Sequence, residues 1–204
     1  KIQPFYSLAK QLGRLSSQYM NEGVREVSVT YAGNVLDFES SLLTKSLLSG
    51  FFTERISTNV NDVNAMLIAK ERDITTGEKV SQDTFGYSNL ITVTVKGDNH
   101  QLEVKGTYIE NYGPRIVSIN GYDVDILPEG NLLFIQHTDR PGVIGRVGNI
   151  LGDNSVNIAT MQVGRKNVGG EAIMVLTLDK ALCDDVFNKL LELEDITYMH
   201  RIAL

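Results

Sequence analysis

One stretch of the chain, residues 137–157, combines a polar loop, glycines and the start of a helix, and it constrains the fold more than any other part. It reads HTDRPGVIGRVGNILGDNSVN and follows the hydrophobic run Leu132–Ile135. Pro141 suits the first turn of a helix, where a missing N–H leaves no hydrogen bond unmade. Apolar residues then recur at helical spacing from Val143 to Leu151, which predicts a helix with one buried face. The order strand, loop, helix, strand is typical of a helix that packs on a sheet.

The composition is that of a globular protein with a real core. The chain has 204 residues, of which 42% are hydrophobic and 22% charged, and its net charge is -6. No nucleic-acid partner is expected, because phosphate binding needs clustered Lys and Arg and the sequence shows no such cluster. No membrane partner is expected either, because no apolar run approaches the roughly 20 residues that span a bilayer. Cys183 is the single cysteine, which favours a reducing compartment, and the cytoplasm is the simplest localisation.

The first 129 residues predict an antiparallel sheet with three helices. Helical periodicity follows Pro4 and returns in residues 40–52 and 59–72, the last capped by Asn59 or Asn61. Strand-like runs occupy residues 25–33, 89–96, 101–108, 115–119 and 122–126. Residues 75–87 show no sustained period and predict a loop or a short edge segment. Asn120-Gly121 is the dipeptide that a two-residue type I′ hairpin prefers.

The remaining residues predict a second domain with the order βαββαβ. Pro128-Glu129-Gly130 is a turn-like break, so we place the boundary between domains 1–129 and 130–204. Strands are predicted at 131–136, 157–165, 171–178 and 197–202, and helices at 141–153 and 184–193. Two helices on one side of a four-stranded antiparallel sheet give the ferredoxin-like arrangement. The fold class of the whole chain is therefore α+β.

Two motifs in this second domain resemble a known regulatory module. Asp139-Arg140-Pro141-Gly142-Val143 after the first strand and Val156-Asn157-Ile158 at the second resemble the ACT domain, which binds amino acids. The segment VNIATMQVGRKNVGGEAIMVL is similar to the carboxy-terminal ACT domain of the long-form D-3-phosphoglycerate dehydrogenases. PFYSLAKQLGRL and YGPRIVSINGYDVDILPEGN resemble the allosteric substrate-binding, or intervening, domain of that family.

The resemblance covers nearly all of the chain and implies a regulatory fragment of an NAD-dependent oxidoreductase of serine biosynthesis. The catalytic and NAD-binding domains of the family would lie before Lys1, and the chain opens inside a predicted helix. We therefore expect a piece of a longer enzyme, with no catalytic residue, cofactor or metal site of its own.

The resemblance further implies that L-serine, as allosteric effector, binds where two ACT domains pair in a homo-oligomer. The positions that match the effector site are His137, Asp139, Asn157, Gly142, Val143 and Ile144. The chemistry agrees: Asp139 or the Asn157 carbonyl can accept from an ammonium, and the amides of the helix start face a carboxylate. His137 can hydrogen-bond the hydroxyl or the carboxylate. The alternatives are that Asp139 only caps the helix and Asn157 only serves a turn.

Arg115 matches a basic position of an anion site that the resemblance implies for the first domain. Tyr122 and Leu127 stand where further basic residues are expected there, which puts that anion site in doubt. The glycines of residues 142–148 have the spacing GxxGxxG and not GxGxxG, so a nucleotide site is not expected. We interpret them as glycines of close helix packing and tight loop geometry.

Two other functions remain open. One is the β component of an iron–sulfur L-serine dehydratase, which would carry an SSSHT-like segment near its start. Residues 1–60 lack such a segment, and a single cysteine cannot hold a cluster. The other is a stand-alone amino-acid sensor, against which the start of the chain inside a predicted helix argues.

Overall fold

A computed structural model describes all residues, Lys1–Leu204, as two compact units. The first unit comprises Lys1–Gly121 and Asp125–Pro128, and the second comprises Glu129–Leu204 and Tyr122–Val124. The helices are α1 (Gln3–Tyr19), α2 (Ser40–Thr53), α3 (Ala65–Glu71), α4 (Val143–Asp153) and α5 (Asp184–Leu191). The strands are β1 (Val24–Gly33), β2 (Thr75–Ser81), β3 (Asn89–Gly97), β4 (Gln101–Ile109), β5 (Gly113–Ile119), β6 (Tyr122–Ile126), β7 (Asn131–Thr138), β8 (Ile158–Arg165), β9 (Glu171–Leu178) and β10 (Ile196–Ala203). The predicted α+β class is confirmed.

The first unit is built on a six-stranded sheet in the order β2-β1-β3-β4-β5-β6. β1, β3, β4 and β5 pair with their neighbours antiparallel, whereas β2 pairs with β1 parallel. The prediction of a purely antiparallel sheet is therefore wrong at this edge. β2 follows a crossover through α2 and α3, and such a crossover returns the chain in the direction of the strand before it.

Two glycines let α1 and α2 approach closely. A Cβ placed at Gly13 of α1 would overlap the carbonyl oxygen of Leu47, and one placed at Gly50 of α2 would overlap that of Lys10. Each glycine thus faces the backbone of the other helix. The buried residues of α1, among them Leu8 and Leu12, pack against β4 at Gly106. The periodicity after Pro4 predicted this buried face correctly.

Helix α3 is shorter than its sequence pattern indicates. Asn61 accepts hydrogen bonds at its Oδ1 from the amides of Val63 (2.9 Å) and Asn64 (3.1 Å), which holds residues 61–64 in a turn. The helix begins only at Ala65, and Val63 is 92% exposed. The type I′ turn at Asn120-Gly121 is confirmed, since their φ angles are 49° and 80°.

The second unit has the four-stranded antiparallel sheet β10-β7-β9-β8, with α4 and α5 on one face. Its core cluster joins both helices to the sheet and includes Leu133, Ile135, Val147, Met174 and Leu190. The ferredoxin-like prediction is confirmed. The strand pairing also sets His137, Ala172 and Arg165 side by side across β7, β9 and β8, at the end of the sheet where the chain enters α4.

Candidate functional site

The loop between β7 and α4 places a helix start at the surface. α4 begins at Val143, two residues later than predicted, because Gly142 takes a φ of 91° that a helix does not allow. In the first turn, Val143 and Arg146 donate to backbone carbonyls (3.4 and 3.0 Å), whereas no loop carbonyl accepts from the amide of Ile144. No side chain caps the helix. Its N-terminus therefore keeps donors and the positive end of the helix dipole available to an anion.

The glycines of α4 differ in their roles. Gly142 serves the loop geometry, as the sequence analysis expects, because its φ is positive. A Cβ placed at Gly145 or Gly148 would meet no atom within 4 Å, so the interpretation of these two as close-packing glycines is wrong.

Asp139 does not cap the helix, and that alternative is wrong. Its Oδ2 accepts hydrogen bonds from Arg165 Nη1 (3.1 Å) and from the amide of Gly169 (3.4 Å). Its own amide donates to the carbonyl of Gly170 (2.8 Å). Asp139 thus ties the loop before α4 to the hairpin between β8 and β9. Its Oδ1 has no hydrogen-bond partner and is left for a ligand.

The surroundings of Asp139 favour its ionised form. The hydrogen bond from Arg165 is the largest cause that lowers the pKa of the Asp139 carboxyl, and the Gly169 amide acts in the same direction. Desolvation opposes them, while the positive charge of Arg165 lowers the pKa further. The carboxylate is therefore negative at neutral pH and suits an ammonium partner.

His137 lies at the end of β7 and is only 1% exposed. Its Nδ1 is 3.0 Å from the carbonyl oxygen of Thr138, which can only accept, so the ring proton is on Nδ1. The other nitrogen, Nε2, is a buried acceptor without a hydrogen-bond partner. Such an atom costs about 1–3 kcal/mol, which a stable core normally avoids.

Arg165 was missed by the sequence analysis, although it is the residue that contacts Asp139. Directly opposite residues of antiparallel strands point to the same face, so Arg165 shares the helix-covered face with Ala172 and His137. Ala172 contributes only a methyl group between the two longer side chains. A βαββαβ order brings the ends of the strands together, but only the exact register places Arg165 in this row.

Asn157 is not brought to Asp139 within one chain. It precedes β8, whereas Arg165 ends that strand, and eight residues of strand at about 3.3 Å each separate the two by roughly 26 Å. The side-chain Nδ2 of Asn157 donates to Asp179 Oδ2 (2.7 Å), and the backbone carbonyl of Asn157 accepts from the backbone amide of Asp179 (3.2 Å). The predicted effector residues therefore lie at two opposite ends of β8.

Asp195 anchors the helix start to the strand β10. It accepts from Arg140 (3.3 Å) and Arg146 (2.6 Å), and its side chain is 11% exposed. One carboxylate faces two guanidinium groups, so the N-terminus of α4 carries excess positive charge. This charge adds to the preference of the helix start for an anion.

Arg115 of the first unit is engaged within the fold. Its guanidinium pairs with Asp125 (3.3 Å), donates to the carbonyl of Pro114 (3.0 Å) and lies 3.8 Å from the ring centre of Tyr112. Tyr122, where a further basic residue was expected, is buried. An anion at Arg115 would have to share the guanidinium with Asp125.

Two clefts open on the first unit, of about 480 and 780 Å³. The smaller contains Arg55, which donates to the carbonyls of Ser17, Met20 and Glu22 and so satisfies the end of α1. The larger is lined by aromatic residues, among them Phe5, Phe38 and Tyr108. Neither contains a residue of the predicted sites.

The structure contains no candidate metal cluster and no membrane-spanning helix. No group of three or more His, Cys, Asp or Glu side chains is placed to hold a metal ion. None of the helices is both long and apolar enough to cross a bilayer.

The fold and the site define a two-domain α+β protein with an ACT domain. Family models match residues 1–120 as the D-3-phosphoglycerate dehydrogenase intervening domain and residues 131–195 as the ACT domain. The chain belongs to the family of the D-3-phosphoglycerate dehydrogenase intervening domain, and the predicted resemblance is confirmed.

Several D-3-phosphoglycerate dehydrogenases are similar to the chain over nearly its whole length. The enzyme of Bacillus subtilis is 50% identical over 100% of this chain and 39% of its own. That of Methanocaldococcus jannaschii is 38% identical over 96% of the chain and 37% of its own, and that of Mycobacterium tuberculosis is 32% identical over 91% and 36%. The chain thus spans less than two fifths of the length of these relatives. Among solved structures, a homoserine dehydrogenase from Thiobacillus denitrificans has a TM-score of 0.29 and 17% identity, over 55% of this chain and 33% of its own.

Proposed function

We propose that the chain is the regulatory part of an NAD-dependent D-3-phosphoglycerate dehydrogenase and that it binds L-serine as an allosteric effector. Residues 1–129 act as the intervening domain and residues 130–204 as the effector-binding ACT domain. The cofactor NAD belongs to another part of the parent enzyme. The proposal rests on one observation. Groups that can bind the ammonium, the carboxylate and the hydroxyl of an amino acid are divided between the two ends of the edge strand β8.

The end of β8 at Arg165 supplies the charged contacts. Asp139 offers its unpaired Oδ1 to the ligand ammonium, and the first turn of α4, from Gly142 to Ile144, offers amides to the carboxylate. The excess positive charge of Arg140 and Arg146 over Asp195 favours the same carboxylate. His137 has an acceptor for the ligand hydroxyl, but its burial means that the ligand reaches it only when neighbouring side chains move.

The opposite end supplies Asn157, and pairing of two ACT domains would join the two halves. β8 is an edge strand, so one row of its backbone groups points away from β9, and Ala159 and Thr160 are exposed. Two copies related by a two-fold axis that extend one sheet place their β8 strands antiparallel. Asn157 of one copy then meets Arg165 and Asp139 of the other. The site is complete only in the dimer, where the amide oxygen of Asn157 accepts from the ligand.

This arrangement gives a mechanism for regulation. A ligand held by both copies stabilises the paired state, and it shifts the equilibrium only by the difference between its affinities for the paired and unpaired states. In the parent enzyme this bias would pass from the ACT domains through the intervening domain to the site of reaction.

The proposal is tested by isothermal titration calorimetry of the chain with L-serine, together with sedimentation velocity. We expect serine binding, dimers that serine strengthens, and an affinity lower by about 1–3 kcal/mol for Asp139→Ala, because a charged partner is lost. Asp184→Ala is the matched control, since it removes an exposed aspartate of the same domain that pairs with Arg201. Unchanged affinity in Asp139→Ala would overturn the site, and the absence of serine binding would overturn the function.

A further inference from the structure

We infer that Arg165 is a specificity-determining residue of the effector site, and that with Asp139 it forms a charge pair that recognises free amino acids. The ligand carboxylate binds the guanidinium of Arg165 while the ligand ammonium binds Asp139. This inference rests on the proposed function, and it adds a carboxylate partner that the sequence motif does not contain.

The hydrogen bonds of the pair leave two donors of Arg165 and one acceptor of Asp139 unused. Arg165 uses only Nη1 in its hydrogen bond to Asp139, so Nε and Nη2 remain as donors. Asp139 accepts hydrogen bonds only at Oδ2, so Oδ1 remains as an acceptor. The side chains are 54% and 21% exposed, and therefore a ligand can reach both. A zwitterion carries an anion and a cation a few ångströms apart, which is the complement of an arginine beside an aspartate.

Arg165 is better suited to this role than the other cations nearby. Arg140 and Arg146 both pair with Asp195, whereas Arg165 pairs with Asp139, the carboxylate proposed to bind the ligand ammonium. Lys166 follows Arg165 in the strand direction, so its side chain points to the opposite face, where it lies 4.5 Å from the ring centre of Tyr122. Arg165 is therefore the cation that lies beside the ammonium-binding carboxylate on the face of the site, and a guanidinium fork binds a carboxylate through two hydrogen bonds.

The row of residues beneath the pair is buried except for Arg165. His137, Ala172 and Arg165 lie side by side on one face, and His137 and Ala172 are 1% and 0% exposed. A ligand therefore contacts the exposed groups of Arg165 and Asp139 first. The consequence is selection for a free carboxylate: an amino-acid amide keeps the ammonium contact and loses the contact with Arg165.

The test is calorimetry of the full chain with L-serine and with L-serinamide, which lacks the carboxylate charge. We expect Arg165→Gln to weaken L-serine binding about 10- to 100-fold, since hydrogen bonds between charged groups contribute about 1.5–3 kcal/mol. The affinity for L-serinamide should change less than about threefold. Arg165→Lys keeps the charge without the fork and should give an intermediate loss for L-serine. Lys166→Gln removes the same charge from the adjacent position and should leave both affinities unchanged.

Each result decides between this role and its alternatives. Unchanged or tighter serine binding by Arg165→Gln overturns the inference and shows that the arginine only competes with the ligand for Asp139. An equal loss for serine and serinamide also overturns it, because Arg165 then only positions Asp139. Both results leave the proposed function standing. A wild-type chain that binds no serine overturns the proposed function and this inference with it. A cooperative thermal unfolding transition, measured for each variant, is the control for correct folding.

Discussion

Arg165 at the end of β8 donates a hydrogen bond of 3.1 Å to Asp139, in the loop that leads into α4. The same carboxylate accepts from Gly169, so the hairpin that ends the edge strand is fastened to the start of the helix. A ligand at Asp139 therefore touches both the edge along which two ACT domains would pair and the helix that packs on the core. In the proposed dimer, this connection would link the binding of a small molecule to the pairing of subunits.

The arrangement of the site across two copies predicts complementation between variants. Asp139→Ala and Asn157→Ala each remove one half of both sites in a homodimer. In a mixed dimer one site keeps both residues and the other loses both. After equal amounts are unfolded and refolded together, about a quarter of all sites should bind L-serine with wild-type affinity, because half of the dimers are mixed.

Titration calorimetry measures the fraction of restored sites. Each variant refolded alone is the control and should show only weak binding. If the mixture recovers nothing, Asp139 and Asn157 do not share a site across the interface.

The hydrogen bonds of Asp139 predict its titration. Arg165 is the main cause that lowers the pKa of the Asp139 carboxyl below the ordinary aspartate value. A carboxyl with a lowered pKa in the folded state stabilises the fold above its unfolded pKa, and this contribution is lost as the pH falls through the folded pKa. Carbon-13 NMR of the side-chain carboxyl should show the lowered midpoint, and Arg165→Gln should move it upward. A midpoint that is the same in both proteins would contradict the ion pair in solution.

The buried imidazole of His137 predicts a gain of stability on its removal. His137→Leu has a similar volume and eliminates the unpartnered Nε2. The carbonyl of Thr138 keeps a donor, because the amide of Arg140 also binds it at 2.9 Å. We expect the free energy of unfolding in urea to rise by about 1 kcal/mol and serine affinity to fall. His137→Ala, which leaves a cavity, should instead destabilise the domain.

The close approach of α1 and α2 predicts a large cost for a single methyl group. Gly13→Ala places a Cβ against the carbonyl of Leu47 and forces the helices apart, so we expect a loss of about 2–3 kcal/mol in urea unfolding. Gly148→Ala is the control, since its Cβ meets no atom within 4 Å. In that helix interior, alanine should stabilise by about 0.5–1 kcal/mol. Equal effects of the two substitutions would argue against the close contact.

Local signals in the sequence were enough for most elements of the fold. Alternation of apolar residues, the Asn120-Gly121 turn and the helical period after Pro4 all act between neighbours in the chain, and these elements were predicted correctly. The two differences from the prediction have separate causes, one the pairing with a distant strand and the other a local side-chain hydrogen bond. Residues 75–81, where a loop or a short edge segment was predicted, form the edge strand β2, and its parallel direction was missed because it depends on the pairing with β1. Helix α3 starts late because the side chain of Asn61 binds the backbone that follows it.

The sequence by itself determined the class of the protein and named Asp139 and Asn157 as candidate site residues. The motif around Asp139 and the order βαββαβ are local properties, and they identified the ACT domain without coordinates. Only the tertiary structure decided where the candidate residues lie. The register of β7, β9 and β8 places Arg165 beside Asp139, because pairing brings separate strands within hydrogen-bond distance. Asn157 lies at the far end of β8, because the extended strand separates it from Arg165 by roughly 26 Å.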